Sequence, residues 1–170
     1  MKILDDAHIV NGWTHTDING AGATSDIISL ADYNHVAIMF DFGNTTAGGD
    51  ADITFVAADD VSATHTATIA TITYRKSPGS TASDTFAAEA TVTDSKLDYV
   101  AAGEIVPDTD DNCIVVVEFD SIDIKEASTD YDFNCVYAAM GNPGQGCPVG
   151  CKFILTQPRY SGATLPAAIA

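Results

Sequence analysis

The chain has few basic residues: 7 Lys and Arg stand against 24 Asp and Glu, which gives a formal net charge of −17 at pH 7 over 170 residues. A field of that sign repels phosphate backbones, so direct binding to nucleic acid is not expected. Long hydrophobic runs are absent as well, since the longest, CVYAAM, falls far short of the ~20 residues of a membrane span. No apolar targeting segment follows MKILDDAHIV. We therefore expect a protein that is made in a cytoplasm and does not bind a membrane.

Motifs that carry catalytic chemistry are missing too. The chain has no GxSxG elbow, no phosphate-binding glycine loop, no GxGxxG and no HExxH. None of its histidines stands at ligand spacing: His8, His15, His35 and His65. The acidic loop with Asp108, Asp110 and Asp111 lacks the Gly and the distant Glu of an EF-hand, so a solvated turn is favoured over a loose calcium site. We expect no enzyme activity, no cofactor and no metal.

The four cysteines do not form two tight pairs, which disfavours a zinc knuckle. Cys113 lies on the apolar face of a strong strand candidate and is interpreted as a small core residue. Cys147 and Cys151 bracket a Pro and a Gly, so a disulfide between them, or from Cys135 to either, stays open. A reducing cytoplasm disfavours both until the protein reaches an oxidising medium.

Strand patterns dominate what is present. Runs such as HVAIMFDF, ADITFVA, ATIATITY, CIVVVEF and CKFILTQ alternate apolar side chains with period two and are rich in Val, Ile, Thr and aromatic residues. Clusters of Gly, Pro, Asn, Asp and Ser separate them, and no helical stripe is sustained over ten residues. The residues predicted to form the core are Phe40, Phe55, Val115, Val117 and Phe153.

Short strands with turn signals at regular spacing indicate an all-β fold, an antiparallel β-sandwich or jelly-roll-like domain. We expect a single domain over residues 1–170, with a β-sandwich core at 25–156. The segments 1–24 and 157–170 are predicted to be extended N-terminal and C-terminal arms, because their patterns are weaker and the tail holds two prolines.

Because positive charge is scarce, its placement is informative. Arg75 and Lys76 close a strand in TYRKS, and Arg159 precedes Tyr160 in the tail. Arg and Tyr are enriched at interface hot spots. Arg75 and Lys76 are predicted to contact an acidic neighbour, although an ordinary strand end explains this pair equally well. Arg159 and Tyr160 are predicted to lie at an interface.

Three stretches in this order, DIISLADYNHVAIMFDFG, GDADITFVAADDVSATHTATIATITYRKS and PRYSGATLPAAIA, resemble small capsid-associated proteins of tailed bacteriophages. The resemblance covers most of the chain from about residue 26, and its motifs are loose. The segment from Asn134 to Cys151 departs from that pattern.

The resemblance implies a decoration or cement protein that binds the outside of a tailed-phage head. Such a protein is made in the host cytoplasm, resides on the capsid surface of the virion, and has the major capsid protein and copies of itself, as a trimer, for partners. The tail would lie along a neighbour as an assembly arm, anchored by Leu165, Pro166 and Ile169.

Two alternatives belong to other classes. A β-module of a head or tail fibre that binds a host surface or carbohydrate would need exposed aromatic side chains, for which Trp13, Tyr33 and Tyr131 are available. A tail-tube or jelly-roll shell protein would be essential and more abundant in the particle than a decoration protein.

Overall fold

Two antiparallel β-sheets enclose one hydrophobic core in the computed structural model, which describes residues 7–77 and 85–159. Sheet A has the strand order β1 (Ala7–Asp17), β12 (Pro148–Pro158), β4 (Tyr33–Phe42), β10 (Ile114–Asp120), β7 (Ile72–Lys76) and β8 (Ala90–Val92). Sheet B has the order β2 (Ala23–Thr24), β11 (Cys135–Met140), β5 (Ala51–Ala58) and β6 (Thr66–Thr68), with β3 (Ile28–Ser29) also paired to β11 and β9 (Lys96–Tyr99) to β5. The prediction of an all-β antiparallel sandwich is therefore confirmed.

The strands follow the turn signals of the sequence. A short helix, α1 (Ser121–Lys125), follows β10, and it buries Ile124. Within the described ranges no helix is long and apolar enough to cross a bilayer.

The core forms between the inward faces of the two sheets. Along β4 every second residue from Val36 to Phe42 is buried, which is the pleat expected of a strand with one face on the core. Phe55 of sheet B contacts Phe40 and Phe119 of sheet A edge-on, with ring centroids 5.9 and 5.4 Å apart. All five predicted core residues are fully buried, so that prediction is confirmed.

The segment predicted as an N-terminal arm is instead part of the sandwich. Residues 7–17 form β1, which pairs with β12 along the edge of sheet A, and residues 23–24 pair with β11. Val10 of β1 is buried in the core opposite Phe153. The prediction was wrong because β1 contributes few inward side chains, and its pattern is broken by register shifts between Asn11 and Thr16.

The C-terminal boundary also differs from the prediction. Strand β12 continues to Pro158, which pairs with Tyr33, and the Arg159 amide donates to the Asp32 carbonyl at 2.8 Å. The prediction that an arm starts at residue 157 is therefore wrong for residues 157–159, which continue β12 or hydrogen-bond to the residue before β4. The remainder of the predicted arm, including Tyr160, Leu165, Pro166 and Ile169, lies outside the described residues.

Candidate interaction surface

The outward face of sheet A carries several apolar residues, whereas the outward face of an antiparallel sheet typically presents polar residues to water. The side chains between the core positions of β1, β12, β4 and β10 are partly exposed and form the surface that we call the A face. Its apolar members are Ile9, Ala37, Met39, Ile114, Val116 and Ile154.

The strand register places these residues side by side in rows. Ile9 lies opposite Ile154, and Ile154 lies opposite Ala37. In the next row Met39 lies opposite Val116. Ile9, at the edge, is 45% exposed. Neighbouring strands are ~4.8 Å apart, so each row is a contiguous apolar contact surface.

Charges of both signs border these rows. Lys152 of β12 lies between Asn11 and Met39, while Arg75 of β7 lies opposite Val116. Glu118 of β10 lies opposite Ala37, with 49% of its side chain exposed. The A face thus combines an apolar centre with cations in a chain that is strongly acidic overall.

Lys152 differs from the other basic residues of the described ranges. Each of the others has an oxygen partner: Arg75 with Glu89, Lys76 with Asp110, Lys96 with Asp52 and Asp98, Lys125 with Asp132, and Arg159 with Ser121. The ammonium group of Lys152 has no such partner among the described residues. It is therefore free to pair with a group on a neighbouring molecule.

The outward face of sheet B also carries apolar residues, with Val56 opposite Tyr137, but its lysine is paired within the chain. Lys96 donates to both Asp52 and Asp98 at 2.9 Å, and these two hydrogen bonds raise the pKa of Lys96. Thr54 lies between Lys96 and Ala139 in the same row. The charges on this face are satisfied within the chain, so it offers less to a partner than the A face.

The two predicted interface cations of β7 point in different directions. Arg75 lies on the A face, where its guanidinium is paired with Glu89 at 3.2 Å. Lys76, one residue later, donates to the Asp110 carboxylate at 2.6 Å and to the Glu104 carbonyl at 2.7 Å. Because successive side chains of a strand alternate, only Arg75 can belong to the A face, and Lys76 holds the 104–110 loop.

The acidic loop is organised by hydrogen bonds within the chain. Asp110 also accepts from the Val106 amide at 2.7 Å, and Asp111 accepts from the Thr45 amide and hydroxyl at 2.6 and 2.7 Å. Asp108 adopts a left-handed backbone with φ 65°. These carboxylates brace the turn, and no group of three metal-ligating side chains occurs among the residues that the structure describes.

Arg159 lines a shallow groove of about 280 Å³ at one end of the sandwich, together with Leu30, Ile122, Lys125 and Phe133. Its guanidinium donates to the Ser121 hydroxyl at 3.3 Å. The structure does not bring Arg159 together with Arg75, since Arg159 follows the far end of β12 beside α1. The groove and the A face are separate surfaces.

The four cysteines are free and buried. Burial raises the pKa of Cys113 to about 12 and that of Cys147 to about 11, and it also raises the pKa of Cys135 and Cys151. The prediction that Cys113 is a core residue is confirmed. The disulfide that stayed open among Cys135, Cys147 and Cys151 is not formed in this structure.

The three aromatic side chains that were predicted to be available for carbohydrate binding differ in their exposure. Tyr33 is buried, and the Trp13 indole donates to the Val149 carbonyl at 3.2 Å while its ring packs against Phe40. Tyr131 is 46% exposed, and its ring stacks on His65 with centroids 3.9 Å apart. Of these three, only Tyr131 is exposed, and one face of its ring is covered by His65.

The sequence patterns did not predict the A face as a surface. Its apolar residues come from four strands that are distant in the chain, and only the sheet order makes them neighbours. The available signal was that both faces of HVAIMFDF and CIVVVEF carry apolar residues, which is unusual for a strand with one face in water.

No protein-family model matches the chain, and no curated protein matches it. Among solved structures, the SPBc2 prophage-derived protein YomS is similar at 10% identity and a TM-score of 0.45, covering 89% of this chain and 94% of that chain. The VP2 subviral particle of infectious bursal disease virus aligns at 12% identity and a TM-score of 0.26, covering 89% of this chain and 41% of that chain. These are distant likenesses.

Proposed function

We propose that this chain is a structural protein of a virion, and specifically a decoration or cement-type protein that stabilises the outside of a tailed-phage head. The A face is the observation that carries the proposal, because it is an apolar sheet face with cations on a chain of net charge −17. The resemblance of the sequence to small capsid-associated proteins supplies the setting. The major capsid protein and further copies of the chain are the proposed partners.

The A face and the rest of the sandwich surface differ in charge. The acidic remainder of the surface keeps many crowded copies solvated, since like charges oppose non-specific association. The A face gains from being covered, because burying apolar surface contributes ~25 cal/mol per Å². A protein built in this way associates through one face in a fixed orientation, which is what a plate on a regular shell requires.

A particle experiment tests the role directly. Virions from the culture that produces the chain are purified on a density gradient, and the copy number of the chain relative to the major capsid protein is measured by quantitative mass spectrometry. We expect the chain in the head fraction, at a copy number equal to or below that of the capsid protein. Absence from every particle fraction would contradict the proposal, and a larger copy number would indicate a shell protein.

A pair of variants tests the A face. Ile9→Asp places a carboxylate on the apolar row, whereas Ile122→Asp makes the same change at a residue that is 51% exposed on α1. We expect Ile9→Asp to reduce incorporation into particles about tenfold, since it removes part of the ~1.5–3 kcal/mol of a buried aliphatic side chain and adds a desolvation cost. Ile122→Asp should leave incorporation unchanged.

A second candidate function is a carbohydrate- or host-binding module of a fibre, and the exposed stack of Tyr131 on His65 favours it. Aromatic rings with an exposed face suit sugar rings as well as protein side chains. A glycan array with the purified chain separates the two functions, with Tyr131→Ala as the control. Binding of a glycan to the chain that is lost in Tyr131→Ala would support the binding module instead.

A further inference from the structure

The A face carries opposite charges at positions that a two-fold axis can exchange. Four side chains surround Ala37 and Met39 of the central strand β4: Ile154 and Lys152 on β12, and Glu118 and Val116 on β10. Ile154 and Glu118 belong to one row, and Lys152 and Val116 to the next. The two charges therefore occupy one diagonal of this quadrilateral, and the two aliphatic residues occupy the other.

The charges on the diagonal do not pair within one chain. They are separated by two strand spacings and by two residues along the strand, which corresponds to roughly 12 Å between Cα atoms. The Glu118 carboxylate lies 3.4 Å from the His35 ring, and Lys152 has no oxygen partner among the described residues. Both charged groups remain accessible on the same face.

We propose that the A face binds the A face of a second copy of this chain through a two-fold axis that lies along the Ile154–Val116 diagonal. This inference names the neighbour of the surface on which the proposed function rests. A two-fold contact is reciprocal: if one residue of the first copy contacts a second residue of the other copy, the same two residues are also in contact with the copies exchanged. The axis places Lys152 of each copy opposite Glu118 of the other, which forms two equivalent ion pairs.

The same axis brings the apolar residues together at the centre of the contact. Ile154 and Val116 lie on the axis, so each meets its own counterpart, and Ala37 and Met39 fill the space between them. From the strand spacing and rise, the strands of the two copies cross at about 70°, near the orthogonal packing that sheet pairs adopt. An apolar centre flanked by two ion pairs is the usual anatomy of a specific interface.

Charge-exchange variants test this pairing with the chain itself as the only reagent. The variants are Lys152→Glu, Glu118→Lys and the double exchange, and association is measured by sedimentation velocity over a concentration series at low and moderate salt. We expect the unmodified chain to form a dimer, and each single variant to weaken it about tenfold, because two symmetric pairs become repulsive. The double exchange should restore the dimer.

Mixing the two single variants gives the most direct outcome. A heterodimer of Lys152→Glu with Glu118→Lys contains two attractive pairs, so the mixture should associate more tightly than either variant alone. A general effect of net charge gives a different pattern, because Lys152→Glu makes the chain more acidic and Glu118→Lys makes it less acidic. Under that effect the second variant would associate more strongly than the unmodified chain.

The controls are Lys125→Glu, at the last residue of α1, and Glu126→Lys, directly after it, where both side chains are exposed. They change the net charge by the same amounts and should leave the dimer intact. A monomeric unmodified chain at its highest soluble concentration, a trimer, or a mixture that fails to associate would overturn the two-fold contact. A dimer that never co-purifies with particles would instead contradict the proposed virion role and leave the contact standing.

Discussion

The pair formed by Lys76 and Asp110 should stabilise the fold and have no part in assembly. Lys76 and its neighbour Arg75 were both predicted to lie at an interface, yet their surroundings differ. The side chain of Lys76 is 25% exposed and pairs with the side chain of Asp110, which is 13% exposed. The side chains of Arg75 and Glu89 are each 52% exposed. The matched variants are Lys76→Met and Arg75→Met, which keep most of each apolar stem.

The magnitude follows from burial. A hydrogen bond to a charged group contributes about 1.5–3 kcal/mol, and an exposed ion pair about 0–1 kcal/mol. Removing the ammonium also leaves Asp110 with the Val106 amide as its remaining strong donor. We therefore expect Lys76→Met to lower the free energy of unfolding by about 2 kcal/mol, which is a loss of ~4–8 °C in Tm for a chain of this length. Arg75→Met should cost less than about 1 kcal/mol.

Urea unfolding of Lys76→Met, Asp110→Asn and the double variant measures the pair itself. A coupling energy of about 1–2 kcal/mol is expected, since the two groups share one hydrogen bond. Sedimentation of Lys76→Met should match the unmodified chain. A coupling energy of zero would refute the structural role of the pair. An unchanged Tm of Lys76→Met together with altered association would indicate that Lys76 lies at an interface.

Three further predictions concern the core, the stability at low pH and the reactivity of the thiols. Val117→Asp should prevent folding, as judged by circular dichroism and solubility, because it places an unpaired charge at a fully buried site, while Val61→Asp at a residue 37% exposed should fold normally. Hydrogen bonds from the His65 amide and side chain lower the pKa of Asp59 below its ordinary 3.8, so the stability that this carboxylate contributes is present above about pH 4 and is lost as pH falls through the lowered pKa. Asp59→Asn should accordingly flatten the acid limb of a plot of Tm against pH, and an unchanged limb would contradict the assignment. Burial raises the pKa of Cys147 to about 11, so iodoacetamide at pH 8 should modify it only after denaturant is added, as read by mass spectrometry; rapid labelling of the native chain would show that the site opens.

The sequence determined the class of fold because its signal is local. Alternation of apolar residues in runs such as HVAIMFDF depends only on neighbours within one strand, and the turn residues between runs mark where strands end. Burial of Phe40, Val117 and Phe153 followed from that alternation alone. The weak pattern of β1 could not show that it pairs with β12, since the pairing joins residues from the two ends of the chain.

The tertiary structure decided which residues share a surface. Arg75 and Lys76 are adjacent in the sequence, but the pleat separates them, and the loop that returns to Lys76 supplies Asp110 from a distant position. Conversely, Lys152 and Glu118 belong to different strands and share one face only because β4 lies between β12 and β10. Strand order is set by packing of the whole core, which no local pattern encodes. The A face therefore could not be predicted until the sheet order was known.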